Sequence, residues 1–513
     1  MLTPYLEHPE HILSQWLEWR CHGPVAIIFV IATEGGGVRA PGAMMLVSAD
    51  GQKAGYISGG CIDADVASQA EDCLKTGTVK RLIYGRGSPF IDLPLPCGGM
   101  IEVMIVPDAN EDVIRASHDR LAARQTVLVT LDDNGNLAVA SSGIPATGMT
   151  FRYTPRLKLR IAGRGADGLA LARLASANGI ETTLMLRDGE DIEEGKRLGL
   201  DNLVQLTSPE HLPELQDDPW TAFLLAFHDH DWETSLLQQV LQGPAFYVGA
   251  VGSQRSHTER CQRLADHAVP THQIKRIHGP VGLIKAMRDA SLLAVSILAE
   301  IIEAYHLRTY APLHDTALIL LAAGASSRFT DGDKLLAGYK GRRVIDHAAL
   351  ALSHQQVTAR IAVVPPDAGE ADGKADHTAR ANALIEAGWQ VVVNQDAASG
   401  MASSLAAGIS AIRDNGSDPT HALVLLGDMP NIPDVHLFDL RDLITPERPA
   451  VMSRFADTTT PPAMFSAHLF DALEKLTGDR GAKQLFNQLE NTATLDMPAE
   501  CAVDIDTAQD LNR

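Results

Sequence analysis

Two spacings of apolar residues alternate along this chain, and each change of spacing marks a new element. From Pro9 the apolar positions, among them Trp16 and Trp19, recur at helical intervals, after which Val25–Ala32 is an unbroken apolar run. A run of strand length without polar interruption predicts a strand buried on both faces. A glycine run at Gly35–Gly37, a second strand at Ala43–Val47, a helix beginning after Ser58 and the apolar strand Met100–Val106 continue the block. A helix to about Arg124, the strand Thr126–Leu131 and the turn Asp132–Gly135 predict a hairpin, and the loose stretch Ser141–Pro155 follows. The first domain is therefore expected at 1–150.

From Leu157 strands and helices alternate. Strands at Thr182–Leu186, Ala222–Ala226 and Phe246–Val248, and a helix around Ser291–Tyr305, predict a doubly wound, Rossmann-like domain over 151–308. The polar, proline-bearing stretch between Tyr305 and Asp315 reads as a linker, and Thr316–Leu321 opens a third α/β series over 315–513. Within it Pro365–Arg380, with two prolines and several acids, reads as an exposed surface loop. The fold class expected is α/β in three domains, the last also of Rossmann-like architecture, which agrees with the prior for 513 residues.

Charge narrows the function classes. Lys and Arg total 43 against 64 Asp and Glu, a formal charge of −21 that repels nucleic-acid backbones and anionic lipid surfaces. Neither nucleic acid nor membrane is an expected partner, although a single nucleotide can still bind locally through backbone N–H groups. The six cysteines are scattered without a C-x-x-C pair, which fits a reducing, cytoplasmic location. The first twenty residues lack the basic and apolar regions of a leader, and runs such as Thr316–Ala323 fall short of the roughly 18 residues of a membrane span.

The strongest chemical signal is Leu321, Ala322, Ala323, Gly324, Ala325, Ser326, Ser327 and Arg328, directly after an apolar strand, with Lys334 six residues further. Small residues let backbone N–H groups approach a triphosphate at a helix start, and Arg328 and Lys334 can balance charge as the α-phosphorus is attacked. In Leu425–Pro430, Asp428 ends a second apolar strand, where a carboxylate can hold Mg²⁺ on phosphates. No G-x-x-x-x-G-K-[ST] sequence occurs.

These motifs, with Asn394, Gly400–Leu405 including Ser403, Gly478–Ala482 and Asp504–Thr507 in the same order, resemble the MobA-like nucleotidyltransferases of molybdenum cofactor maturation. The resemblance implies Arg328, Lys334 and Asp428 as catalytic residues, Leu321–Ser327, Asn394 and Ser403 as nucleotide-binding residues, and Mg²⁺ on Asp428. Asp504 or Asp506 could complete the metal shell or be a solvated carboxylate. Ala323, in a Leu-Ala-Ala-Gly loop, resembles the cytidylyltransferases that use CTP. Phe329-Thr330, Gln395 and Thr460-Pro461-Pro462 depart from the family pattern. The implied reaction transfers CMP from CTP to molybdenum-molybdopterin and releases pyrophosphate.

A second signal is Gly163-Arg164-Gly165-Ala166-Asp167-Gly168 with Asp188 twenty residues on, a dinucleotide-type turn that serves equally as a tight fold turn. With Ser58-Gly59-Gly60-Cys61, Pro96-Cys97-Gly98-Gly99, Tyr247–Arg255, Gly279–Leu283 and the helix Ala294–Ile302, it resembles the XdhC/CoxI family of xanthine dehydrogenase accessory proteins. That resemblance implies binding of molybdenum cofactor, help in its sulfuration, and transfer to a xanthine dehydrogenase-type molybdoenzyme, with a cysteine desulfurase as a further partner and a homo-oligomeric state. Gly163, Gly165, Gly168, Ser253, Arg255, Cys61 and Cys97 are its candidate cofactor-binding residues. Each cysteine is equally a small residue in a tight turn, and Ser253 equally a helix cap. His228 and His230 could form a metal pair if the preceding strand continues, but a polar loop is the favoured reading; Glu300 receives no role. Fusion would raise the effective concentration of one site for the product of the other. Alternatives are a nucleotidyltransferase for another phosphorylated acceptor, a non-catalytic delivery protein and, last, an NAD-dependent dehydrogenase.

Overall fold

The computed structural model describes residues 6–35, 39–60, 62–86, 98–139, 148–227, 229–324, 329, 332–350, 352–353, 355–366, 377–478, 481–499 and 501–512. The chain divides into two compact units, 1–156 and 157–513.

The first unit contains α1 (Pro9–Arg20), β1 (Val25–Glu34), β2 (Met44–Ser48), β3 (Lys53–Gly55), α2 (Asp63–Thr76), β4 (Lys80–Gly85), β5 (Met100–Val106), α3 (Glu111–Ala122), β6 (Val127–Leu131), β7 (Leu137–Val139) and β8 (Met149–Tyr153). Its main sheet has the order β3-β2-β1-β5-β4, and β7-β6-β8 form a second sheet. β1 is apolar throughout because both of its faces are covered. Val25, Ile27, Phe29 and Ile31 join a core with α1 and the small sheet, whereas Ala26, Ile28 and Val30 face Val66, Ala67 and Ala70 of α2.

The second unit begins with β9 (Lys158–Gly163), α4 (Gly165–Ala177), β10 (Glu181–Leu186), α5 (Gly189–Arg197), β11 (Leu203–Gln205), β12 (Thr221–Ala226), α6 (His230–Gln242), β13 (Tyr247–Ala250), α7 (Gln254–Asp266), α8 (Thr271–Ile274), β14 (Ile277–His278) and α9 (Ala290–Tyr310). The six strands pair in parallel in the order β11-β10-β9-β12-β13-β14. This is the strand order of dinucleotide-binding sheets, with its crevice between β9 and β12. α9 extends five residues into the stretch expected as a linker and stops before Pro312, whose ring disfavours a helical Ala311. α9 is also long and apolar enough to cross a membrane by length and composition. Glu300 and Glu303 interrupt its apolar run, and Ala294, Ile297, Leu298 and Ile301 pack into the core of this sheet.

A third sheet follows in the same unit: β15 (Thr316–Leu321), a 3-10 turn (Lys334–Leu336), the ribbon β16 (Gly338–Tyr339) and β17 (Arg342–Arg343), α10 (Val344–Leu350), β18 (Ala359–Val364), α11 (His377–Glu386), β19 (Gln390–Val393), α12 (Met401–Asp414), β20 (His421–Leu426), α13 (Asp434–Leu443), β21 (Ala450–Phe455), β22 (Thr458–Ser466), α14 (Phe470–Glu474), α15 (Ala482–Phe486) and β23 (Thr492–Asp496). The order is β19-β18-β15-β20-β22-β21-β23, parallel from β19 to β20, with β22 antiparallel to both neighbours. β15 splits its side chains between two cores, Leu318 and Leu320 on one face and Ala317, Ile319 and Leu321 on the other. β15 leads to β18 and β19 on one side, and β19 then crosses to β20 on the other, so the chain reverses direction between β15 and β20. Ligand crevices form at such points, outside the carboxyl ends of the strands.

Candidate functional site

Three loops meet that edge of the third sheet. Leu321–Gly324 follows β15, Gly427-Asp428 follows β20 and Asn394 follows β19. The first loop is anchored on both sides: Ala322 N–H donates to Val363 O (2.9 Å) and Gly427 N–H to Leu321 O (3.0 Å). Leu321 and Ala322 are buried, Ala323 is half-buried and Gly324 is exposed, with open space where a Cβ would lie. Ala325, Ser326, Ser327 and Arg328 lie outside the described residues, as do Cys61, Cys97 and His228.

Lys334 enters the same edge from the 3-10 turn. Its Nζ donates to Asp428 Oδ2 at 2.6 Å and Asp506 Oδ1 at 3.1 Å. Burial works against this ammonium, but the Asp428 and Asp506 carboxylates outweigh it and hold its pKa above the ordinary lysine value. Ile505 N–H donates to Asp428 O (3.0 Å), which ties the 504–506 segment to the end of β20. Asp428, Asp504 and Asp506 thereby present oxygens within 4.8 Å of one another. Burial first, then repulsion from Asp428, pushes Asp504 up to about 6. A cluster of hard oxygens balanced by one ammonium has the chemistry of a divalent-cation and phosphate site.

Sequence reasoning missed what holds this assembly. Arg380, expected in an exposed loop, lies on α11 and is completely buried. Its Nε and Nη2 donate to Asp333 Oδ2 at 2.9 and 2.6 Å, and its Nη1 donates to Ala322 O and, at 3.3 Å, to Gly324 O. Asp333 in turn caps the 3-10 turn through Leu335 N–H (3.0 Å). One guanidinium thus joins the glycine loop to the turn bearing Lys334. The available signal was its spacing of three and four residues from the buried Ala383 and Leu384, which places it on the inward face of the helix.

Asn394 and Ser403 come together as well. Asn394 Nδ2 donates to Ser403 Oγ (2.9 Å) and Ser404 Oγ (3.0 Å), so the buried amide braces the start of α12. Gly478 and Gly481 reach the same helix start: Ala402 N–H donates to Gly478 O (3.2 Å), and a Cβ on Gly481 would lie 3.2 Å from Met401 Sδ.

The glycine turn of the second sheet is built differently. Gly163 packs against β12, where an added Cβ would lie 2.9 Å from Ala226 Cβ and O; Gly168 is buried; Gly165 has φ +69°. The Gly165 N–H donates to Asp191 Oδ2 at 2.7 Å, so a carboxylate of α5 already occupies this amide. Asp188, twenty residues past the turn, sits 3.8 Å from Arg164 Nε and 3.0 Å from Arg187 Nε. Ser253 caps α7 through Ser256 N–H (3.1 Å), and exposed Arg255 pairs with Glu259 (2.9 Å). β12 ends at Ala226 and His230 opens α6, so the strand continuation required for a His228–His230 pair is absent. Glu300 is a structural knot, accepting from Tyr247 OH (2.7 Å) and Gly282 N–H (2.5 Å).

In the first unit, the Asp63 carboxylate gathers the N–H groups of Ile57, Ser58 and Gly60 at 2.9–3.3 Å. The turn before position 61 is therefore shaped by its own helix start.

A switch-point crevice bearing a small-residue loop, a buried lysine and three carboxylates defines a nucleotide-handling α/β domain, here sharing a unit with a six-stranded Rossmann-type sheet. A family model described as MobA-like NTP transferase domain matches residues 318–493, the XdhC Rossmann domain matches 159–301, and the XdhC and CoxI family matches 19–85. Molybdenum cofactor insertion chaperone PaoD of Escherichia coli (strain K12) is 30% identical over 280 residues, 54% of this chain and 81% of that protein. A probable xanthine dehydrogenase subunit of Bacillus subtilis (strain 168) is 24% identical over 309 residues, 53% of this chain and 91% of that protein. The crystal structure of a xanthine dehydrogenase from Bacillus halodurans superposes with a TM-score of 0.49 at 23% identity, over 59% of this chain and 97% of its own. The chain belongs to the XdhC/CoxI family and carries in addition a MobA-like NTP transferase domain.

Proposed function

We propose that this protein is a molybdenum cofactor cytidylyltransferase joined to a cofactor-binding and insertion chaperone for a xanthine dehydrogenase-type molybdoenzyme. The observation that carries the reading is the meeting of Lys334, Asp428 and Asp506 at the edge where the Leu321–Gly324 loop ends. In the proposed reaction a terminal phosphate oxygen of molybdenum-molybdopterin forms a bond to the α-phosphorus of CTP. The bond from that phosphorus to the bridging oxygen breaks, and pyrophosphate leaves with the electron pair. Both reactants are anionic, so positioning and charge compensation supply the rate.

Lys334 offers a preoriented positive charge, held by two carboxylates and by the turn that Asp333 and Arg380 fix. Arg328 is assigned the second cation. The oxygens of Asp428, Asp504 and Asp506 fit Mg²⁺, which when bound supplies neutralisation of phosphate charge. Leu321–Ser327, Asn394 and Ser403 are assigned to nucleotide binding, and Ala323 supports CTP over GTP. Cys61, Cys97 and the Gly163–Gly168 turn are assigned to cofactor handling in the chaperone part. A molybdoenzyme is the proposed recipient, a cysteine desulfurase the proposed sulfur donor, the homo-oligomer the proposed state, and the cytoplasm the proposed location.

The test is pyrophosphate release by the full chain with Mg²⁺, molybdenum-molybdopterin, and CTP or GTP. Release with CTP, lost in Asp428→Ala at unchanged thermal stability, is expected. Release with GTP alone overturns the nucleotide assignment. Release with neither, from folded protein and intact cofactor, overturns the molybdenum-molybdopterin cytidylyltransferase reading in favour of another acceptor or a delivery protein.

A further inference from the structure

Within the second unit, a cavity of about 950 Å³ opens between the Rossmann-type sheet and the amino-terminal edge of the third sheet. His421, which opens β20, lines it, whereas Asp428 follows the other end of that strand. The strand's six residues separate the cavity from the Lys334 site by about 20 Å.

Its lining carries Lys275 and four arginines against the two carboxylates of Asp315 and Asp418, in a chain of net charge −21. Three of its arginines face carboxylates: Arg308 lies 3.7 Å from Asp442, Arg441 2.9 Å from Asp315, and Arg413 3.1 Å from Glu474. Lys275 and Arg276 differ. The Arg276 guanidinium donates to the carbonyls of Leu241 (2.7 Å), Gly243 (3.5 Å) and Ala245 (2.7 Å), which orient it without supplying a countercharge. Burial alone lowers its pKa to about 10. Lys275 is exposed and forms no ion pair among the described residues. Opposite in chemistry, the His272 and His468 rings stack at 4.1 Å with 12° between their planes, and they line the same cavity. Burial lowers both histidines' pKa values, so the charged form is disfavoured in each and the stacked pair offers a flat ring surface.

We propose that this cavity is a second anion site that binds a nucleotide-sized phosphorylated molecule, with its phosphoryl group at Lys275 and Arg276 and its heteroaromatic ring at the His272–His468 pair. The volume lies within the range of small-molecule pockets. Two basic groups lacking carboxylate partners match a phosphate dianion.

Calorimetric titration of the full chain with CTP, CMP and inorganic pyrophosphate, without divalent metal, tests the proposal by stoichiometry rather than turnover. Lys275→Glu, an exposed position, is expected to keep the wild-type melting temperature and to bind one fewer equivalent of CTP and CMP than wild type. That difference is independent of whether the Lys334 site transfers nucleotides. Equal stoichiometry in the two proteins would overturn the site. Loss of an equivalent with pyrophosphate but not with CMP would overturn the ring contact and leave a bare phosphate site.

Discussion

Arg380→Ala removes the guanidinium that, among the described residues, touches both the candidate nucleotide loop and the turn bearing Lys334. Two hydrogen bonds to the buried Asp333 carboxylate, at 2.6 and 2.9 Å, disappear, together with those to the Ala322 and Gly324 carbonyls. Deleting one member of a buried ion pair costs about 3–5 kcal/mol, here because the Asp333 carboxylate loses two charge-assisted hydrogen bonds in a poorly solvated site. That corresponds to a change of roughly two to three and a half decades in the local unfolding equilibrium. Hydrogen exchange followed by mass spectrometry reads this region without assuming that a multi-unit chain unfolds in one step. Peptides spanning α11 and the 332–336 turn should lose protection by that factor, while β1 and β5 of the first unit remain as in wild type. Nucleotidyl transfer should fall about a hundredfold, the scale of an ångström-level misplacement of a catalytic group. In a double-mutant cycle with Asp333→Asn the coupling should be about 1–3 kcal/mol. Wild-type protection at α11, or additivity of the two substitutions, would refute the argument that Arg380 acts by joining these segments.

Two further outcomes follow from buried groups. His436 is fully buried, hydrogen-bonded to Ser453 Oγ at 2.7 Å, and burial lowers its pKa to about 4. Between pH 6.5 and about 4 the unfolded chain takes up a proton that folded His436 refuses, so stability falls as pH falls through this window, by about 1.4 kcal/mol per pH unit. His436→Gln should flatten the slope of denaturation free energy against pH by that amount, and an unchanged slope would remove His436 as a contributor. Gly163→Ala should destabilise the Rossmann-type sheet by about 1–3 kcal/mol, because its methyl would meet Ala226 in the adjacent strand. Unaltered exchange at 158–163 and 221–226 would contradict that packing argument.

Strand identity and sheet class were determined by the chain itself. Runs such as Val25–Ala32 and Thr316–Leu321 have few polar positions because each strand is covered on both faces, and that requirement is local and visible in composition. Asp428 was legible for a related reason, since a carboxylate directly after a buried strand lies at the edge where parallel sheets bind ligands. The extent of α9 was misread because the polar residues of its last turn resemble a linker, and only Pro312 sets a stop.

Tertiary structure alone decided how distant charges are paired. Arg380 reaches Asp333 across 47 positions and Lys334 reaches Asp506 across 172, separations that no periodicity encodes. The Gly163–Gly168 turn makes the same point from the other side: its spacing is that of a phosphate loop, yet the Gly165 amide is held by Asp191 of α5, the helix after β10. Hydrophobic patterning is written at intervals of two to four residues, and it therefore determines which segments become strands and helices. Compensation of a buried charge depends on which groups the completed fold brings within about 3 Å, because the cost of an uncompensated charge is set by its surroundings in space.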